Sequence, residues 1–231
     1  MSPVVVYGRN PVREAIRGPR TVTQVWATAK TAQEPWLTAS GLRVEVVDAE
    51  ELERRCGSAD HQGVCAQTSA YLYADPGELL RRSPGLIVAL DQIQDPQNLG
   101  AICRTAECAG AAGVVIPERR SAEVTSAVCK ASAGAVEHLG VGRVRNLADF
   151  LAEAKEAGHW CYGADADGPA VYDQVDYAAA AVLVLGAEGR GLRPRVAGAC
   201  DLLVKLPLRG RIGSLNVSAA AAVLIYAIVG P

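Results

Sequence analysis

Three segments of this chain gather side chains able to bind or activate a ligand. The first runs from Asp91 to Arg104 and reads DQIQDPQNLGAICR. Its polar stretch enters a helix-like run near Asn98, an amide at a helix start, and Arg104 lies nearly two turns further on. The plain alternative is that Asp95 or Asn98 caps the helix and Arg104 is a surface cation. The second reads GAEGRG from Gly186 to Gly191. Its three glycines let backbone amides approach a ligand closely. Glu188 is either functional there or caps the helix that follows. The third reads LPLRGRIGSLNVSAA from Leu206 to Ala220. Ser214, Asn216 and Ser218 cluster at the expected start of the last helix, where backbone N–H groups lack partners. An asparagine in so apolar a helical start is costly without a polar partner.

The elements that must position these segments follow from hydrophobic pattern. Leu86–Leu90, Val114–Ile116, Leu139–Val144, Trp160–Gly163, Ala181–Leu185 and Leu202–Leu206 read as strands, several of them apolar throughout. Between them, helices are expected over Asn98–Ala109, from Ser121 to about Ser132, over Leu147–Ala157 and over Ser214–Val229. Strands that alternate with helices and are apolar on both faces predict a mostly parallel α/β sheet with helices on both faces. In such a sheet ligands bind beyond the carboxyl ends of the strands, where all three segments fall. Before Leu86 the pattern is shorter. A helix from Asn10-Pro11, strands over Thr21–Ala27, Arg43–Val47 and Gly63–Thr68, and an acidic helix capped by Asp48 predict a small N-terminal α/β domain. The expected organisation is a domain over 1–70, a linker over 71–84 marked by Asp75-Pro76-Gly77 and Ser83-Pro84-Gly85, and a larger domain over 85–231.

Bulk composition narrows the function classes. The chain has 231 residues, half of them apolar, and a formal net charge of −2, which by itself counts against a strongly basic nucleic-acid binder. Charge is uneven, however. Between Gly186 and Arg211, six cations (Arg190, Arg193, Arg195, Lys205, Arg209 and Arg211) face two acids (Glu188 and Asp201), an excess of four that can hold phosphates. Seven cysteines without a C-x-x-C pair point to reduced thiols in a cytoplasmic protein. Three histidines far apart in sequence give no reason to expect a metal. The N-terminus lacks a signal-like segment, and the apolar run Ala219–Val229 is too short to span a bilayer, so no membrane association is expected.

Taken together in this order and spacing, DPQNLGAICR, LGAEGRGL and LPLRGRIGSLNVSAA resemble the SpoU (TrmH-type) RNA ribose 2′-O-methyltransferases. The N-terminal YGRNPVREAI (Tyr7–Ile16) and HQGV (His61–Val64) are similar to that family's auxiliary RNA-binding domain, so the likeness covers nearly the whole chain. The resemblance implies a C-terminal deep trefoil knot, a homodimer with its site near the interface, and S-adenosyl-L-methionine as methyl donor. It implies that Gly186, Leu206 and Leu215 contact the donor, largely through backbone. It also implies that Asn98, Arg104, Glu188, Ser214 and Asn216 form the catalytic and RNA-facing group, with Arg104 supplied by the partner subunit. A guanidinium is a poor base, so a grip on phosphate and on the developing alkoxide suits Arg104 better.

The two-domain layout resembles the ribosomal-RNA members, which implies a guanosine of 23S rRNA as acceptor. An adenosine acceptor of the thiostrepton-resistance type and a tRNA acceptor are the alternatives. A dehydrogenase using the GAEGRG loop is disfavoured, because no acidic residue stands about twenty positions on, at Leu206, to hold a ribose. A non-catalytic RNA-binding module would not be expected to keep all three segments intact.

Overall fold

A computed structural model describes residues 3–82 and 84–230. Ser83, part of the second expected turn, lies outside them. The chain first forms β1 (Val4–Tyr7), α1 (Arg9–Arg17), β2 (Val22–Ala27), α2 (Ala29–Ala32), α3 (Pro35–Thr38), β3 (Val44–Val46), α4 (Ala49–Cys56) and β4 (Val64–Thr68). These give a four-stranded sheet of order β1-β4-β2-β3. The first strand was not anticipated, since VVVY is too short to show a period. Asp48 caps α4 as expected, its carboxylate accepting from Glu51 N at 2.7 Å.

Next come α5 (Pro76–Arg81), β5 (Gly85–Asp91), α6 (Pro96–Cys108), β6 (Gly113–Pro117), α7 (Ser126–Ala131), β7 (Val141–Val144) and α8 (Leu147–Glu156). They are followed by β8 (Trp160–Ala164), β9 (Ala170–Val171), β10 (Ala180–Gly186), α9 (Pro194–Ala197), β11 (Leu202–Lys205) and α10 (Val217–Val229). The seven strands form one sheet of order β7-β6-β5-β10-β8-β11-β9, and every pairing in it is parallel. This is the α/β sheet that the apolar strands predicted. Its strands bury Ile87, Val88, Ala89, Val114, Val115, Val182, Leu183 and Val184 completely.

Two helix starts are corrected. The helix expected from Ser121 begins at Ser126. Residues before it are held in an extended path, with Ala122 N donating to Ile93 O at 2.8 Å and Val124 N to Tyr73 Oη at 2.9 Å. The last helix begins at Val217 rather than Ser214. Asn216 is its cap, accepting from Ser218 N and Ala219 N, and it leaves Ser214 in the preceding loop. The strand expected from Leu139 starts at Val141, because Ala135–Leu139 is taken up by a 3₁₀ turn and its exit.

The two sheets share an apolar core. Val6, Val12 and Ala15 pack in one cluster with Val128, Cys129 and Val136. Polar contacts cross the same boundary. Arg20 and Glu137 form an ion pair with both side chains buried. Ser126 Oγ donates to Val5 O at 2.6 Å, and Lys130 Nζ to Asp60 O at 2.7 Å. Residues 71–74 are packed too, with Tyr71 Oη donating to Val136 O and Ala74 bridged to Gly142. All seven thiols are unpaired, and burial pushes those of Cys103 and Cys161 up to about 12. At neutral pH they are inert apolar fillers.

Candidate active site

Because all strands of the large sheet are parallel, their carboxyl ends lie on one edge. There β5 leads to the first segment, β10 to the second and β11 to the third. The first turns into α6 through Asp95, whose carboxylate accepts from Gln97 N at 2.9 Å, with Pro96 opening the helix. Asn98, only 7% exposed, therefore points from the first turn of α6 toward the neighbouring loop. The second segment leaves β10 by a turn that only glycine permits. A Cβ on Gly186 would stand 2.1 Å from Gly191 C and 2.4 Å from Leu192 N. The turn is closed by Gly191 N donating to Ala187 O at 2.9 Å.

The three segments meet at one carboxylate oxygen. Glu188 Oε1 accepts from Asn98 Nδ2 at 3.2 Å, Asn216 Nδ2 at 2.6 Å and Val217 N at 3.2 Å. Asn216 Nδ2 also donates to Asn98 Oδ1 at 2.9 Å. Glu188 thus accepts the first N–H of α10, beside that helix's cap Asn216, and does not cap the helix directly after it. Asn216 stands exposed at the cap of α10 rather than inside an apolar turn, so its polar partners do not offset a burial cost.

Two cavities flank this cluster. One, of about 290 Å³, is lined by Asp165, Leu185–Gly189, Leu206, Leu208, Gly213–Leu215 and residues of α10 including Val217. Gly186, Leu206, Leu215 and Ser214 all face it. The other, of about 250 Å³, is lined by Gln92–Asp95, Asn98, Ala187, Glu188, Arg190 and Val217. Ala187, Glu188 and Val217 belong to both walls. Arg104 lines neither; it is exposed on α6, well along the helix from Asn98.

Sequence reasoning missed two features here. Asp91, 1% exposed, holds Arg193 by three contacts: Arg193 N at 2.9 Å, Nε at 2.7 Å and Nη2 at 2.7 Å. Only an acid ending an otherwise apolar strand signalled it. Arg193, like Arg195 paired with Asp149, is therefore withdrawn from the cations counted as free for phosphate. Asp165 and Ala166, which follow β8, complete the first cavity. Their only signal was their place after a buried strand. Among the described residues no three potential metal ligands cluster, and no helix is long and apolar enough to cross a membrane.

A parallel sheet with a glycine-turned cleft at its carboxyl edge, sharing one wall with a second, polar cavity, is an α/β site able to hold two ligands side by side. Comparison with known proteins makes this specific. Residues 85–226 match the SpoU rRNA Methylase family, and residues 5–74 match the RNA 2′-O ribose methyltransferase substrate binding domain. A Bacillus subtilis (strain 168) protein named putative TrmH family tRNA/rRNA methyltransferase YacO is 39% identical over 232 residues, covering 96% of this chain and 93% of its own. A putative RNA methyltransferase of the TrmH family from Porphyromonas gingivalis superposes with a TM-score of 0.80 at 29% identity, over 97% of this chain and 88% of that one. An AdoMet-bound rRNA methyltransferase from Sinorhizobium meliloti superposes with a TM-score of 0.80 at 25% identity, over 98% of this chain and 86% of that one. The chain belongs to the SpoU methylase family and is an RNA methyltransferase dependent on S-adenosylmethionine.

The first cavity suits that donor. Its apolar walls (Leu185, Val204, Leu206, Leu215 and Leu224) fit an adenine, glycine backbone lies open to polar ligand edges, and Asp165 and Glu188 stand at hand for a cation. Gly186→Ala is expected to remove donor binding, because the new methyl must displace the backbone at Gly191. Isothermal titration with S-adenosylmethionine checks this, and an unchanged Kd would show that the turn is not what shapes the cleft.

Proposed function

We propose that this chain transfers a methyl group from S-adenosylmethionine to a ribose 2′-hydroxyl of RNA, with a guanosine of 23S rRNA as acceptor, and that it works in the cytoplasm as a homodimer. The observation that carries this reading is the single carboxylate, Glu188, standing in the wall between donor-sized and polar cavities. The donor, when bound, supplies a methyl already activated by its sulfonium. The chain's residues then have two tasks: to align an oxygen with that methyl and to manage the proton that leaves. Gly186, Leu206 and Leu215 hold the donor side, with Ser214 facing it from the loop. Asn98 and Glu188 face the acceptor side, and Asn216 ties the two. Arg104 stabilises phosphate or alkoxide from the partner subunit.

Several observations support the finer parts. Helix α10 carries no charge and leaves Val223, Tyr226 and Val229 well exposed at 41%, 53% and 39%, an apolar stripe suited to a second copy. Arg104 reaches neither cavity of its own chain, as a residue acting across a dimer would. For the knot, β11 lies between β8 and β9 in the sheet although it follows both in sequence, and Asp165 N donates to Val204 O. Such a path suits a threaded C-terminus. The ribosomal acceptor rests on the two-segment layout and on the rRNA relative from Sinorhizobium meliloti.

The test is methylation of ribosomal RNA, partly assembled subunits and tRNA with labelled donor, followed by mapping of the product. A 2′-O-methylguanosine in large-subunit RNA is the expected result. Label on an adenosine or on tRNA would move the acceptor, and label on a base would overturn the ribose assignment. The dimer has its own expected result. Arg104→Ala and Glu188→Ala proteins, each strongly impaired, should regain activity when unfolded together and refolded as a mixture. No recovery, despite a dimeric mass by light scattering, would place Arg104 in its own chain's site.

A further inference from the structure

The loops after β6 and β7 carry three arginines that the site so far has not used: Arg119 and Arg120 after β6, and Arg145 after β7. All three are exposed, and among the described residues none has a carboxylate within ion-pair distance, whereas neighbouring Arg143 pairs with Glu123 and Arg195 with Asp149. The one unpaired acid in that stretch is Glu118, also exposed. No neighbouring carboxylate cancels their charge, so on a chain of net charge −2 they leave a locally positive edge.

Their setting is built rather than loose. β7, β6 and β5 are adjacent parallel strands, so these loops continue the edge that ends at the polar cavity. Strand spacing puts the β7 loop about 10 Å from the β5 loop. The β6 loop is stitched to the β5 loop by Ala122 N donating to Ile93 O at 2.8 Å, and Tyr73 Oη fixes Val124 N. Arg120 is held at φ +60° and Gln92, which lines the polar cavity, at φ +62°, left-handed conformations that non-glycine residues rarely adopt. Two adjacent loops locked in uncommon backbone beside a cavity have the character of a preorganised ligand surface.

We infer that Arg119, Arg120 and Arg145 form a shelf that grips the RNA phosphate backbone flanking the acceptor nucleotide and leads the strand into the polar cavity. A guanidinium fork matches phosphate oxygens bidentately and keeps its charge at any working pH. The shelf holds RNA on one side of the cavity, and Arg190, which lines the cavity itself, continues the positive edge on the other. This inference rests on the RNA-methylation reading and assigns to it a substrate path.

The test compares the full chain with a variant carrying Arg119→Gln, Arg120→Asn (asparagine tolerates the left-handed backbone) and Arg145→Gln. A fluorescein-labelled, mixed-sequence single-stranded RNA is titrated by anisotropy across a series of KCl concentrations, and S-adenosylmethionine is titrated by calorimetry. The variant should bind RNA about tenfold or more weaker, and the slope of log K against log salt should flatten by about 2, for three lost phosphate contacts. Its donor Kd and melting temperature should match the parent's. Arg145→Gln alone should give a smaller change in the same direction. Wild-type RNA affinity and salt slope in the triple variant would overturn the shelf and leave the methyltransferase reading intact. A parent chain that binds no RNA and methylates none would overturn that reading itself.

Discussion

Glu188→Ala is expected to lower methyl transfer by about 10²–10³-fold, the range seen when one preorganised polar group is removed from a site. The argument is geometric. Glu188 Oε1 is the common acceptor for Asn98 Nδ2, Asn216 Nδ2 and Val217 N. Without it, two amide side chains and the first N–H of α10 lose their shared anchor at the wall where donor and acceptor must meet. The effect should fall on kcat, because the apolar cleft and the Gly186 turn remain to bind the donor. Glu188→Gln keeps an oxygen in place and should retain much more activity than the alanine variant. Steady-state kinetics with donor titration check both. An alanine variant with parental kcat, or one whose defect lies wholly in donor affinity, would remove Glu188 from the transfer step.

Glu137→Ala is expected to cost about 3–5 kcal/mol of stability, because it strands a buried guanidinium. Arg20 and Glu137 are both buried at the boundary of the two sheets, and the pair is the charged contact there that solvent does not reach. Burial pulls the Arg20 pKa down, and its bond to Glu137 together with attraction from Cys129 and Glu137 more than restores it. For a chain of this length the loss corresponds to a fall in Tm of roughly 10 °C. The double replacement Arg20→Met, Glu137→Leu removes both charges and should recover most of it. Differential scanning calorimetry checks the pair, and a Glu137→Ala variant melting with the parent would mean that water or another acid takes over the arginine.

Much of this molecule was legible in the sequence, for reasons that particular residues make plain. Strands such as Leu86–Leu90 and Ala181–Leu185 are apolar on both faces, so a parallel sheet covered by helices was the consistent solution, and its carboxyl edge then named the ligand side. Asn216 was picked out as a polar residue at an apolar helix start, though it proves to be that helix's exposed cap. What escaped was set by contacts between segments distant in sequence. The start of α7 is fixed by Ile93 and Tyr73, not by Ser121. The first cavity is completed by Asp165, marked in the sequence only by its place after a buried strand. The partnership of Asp91 with Arg193 spans 102 positions, and no local pattern records it. Glu188 was legible as a residue of interest, but its bond to the first N–H of α10 depended on how the chain returns past β10.

The shared core between the two sheets bears on how the enzyme measures its substrate. Val6, Val12 and Ala15 are sealed against Val128 and Val136, and the Ser126–Val5 and Lys130–Asp60 bonds lie on the same seam. A recognition module mounted this way does not swing on a tether. Under the proposed function it serves as a fixed ruler, set at one distance and angle from the polar cavity. On that same proposal, selectivity then comes from the shape of the folded RNA, since a strand must meet the module and the polar cavity at that spacing at once.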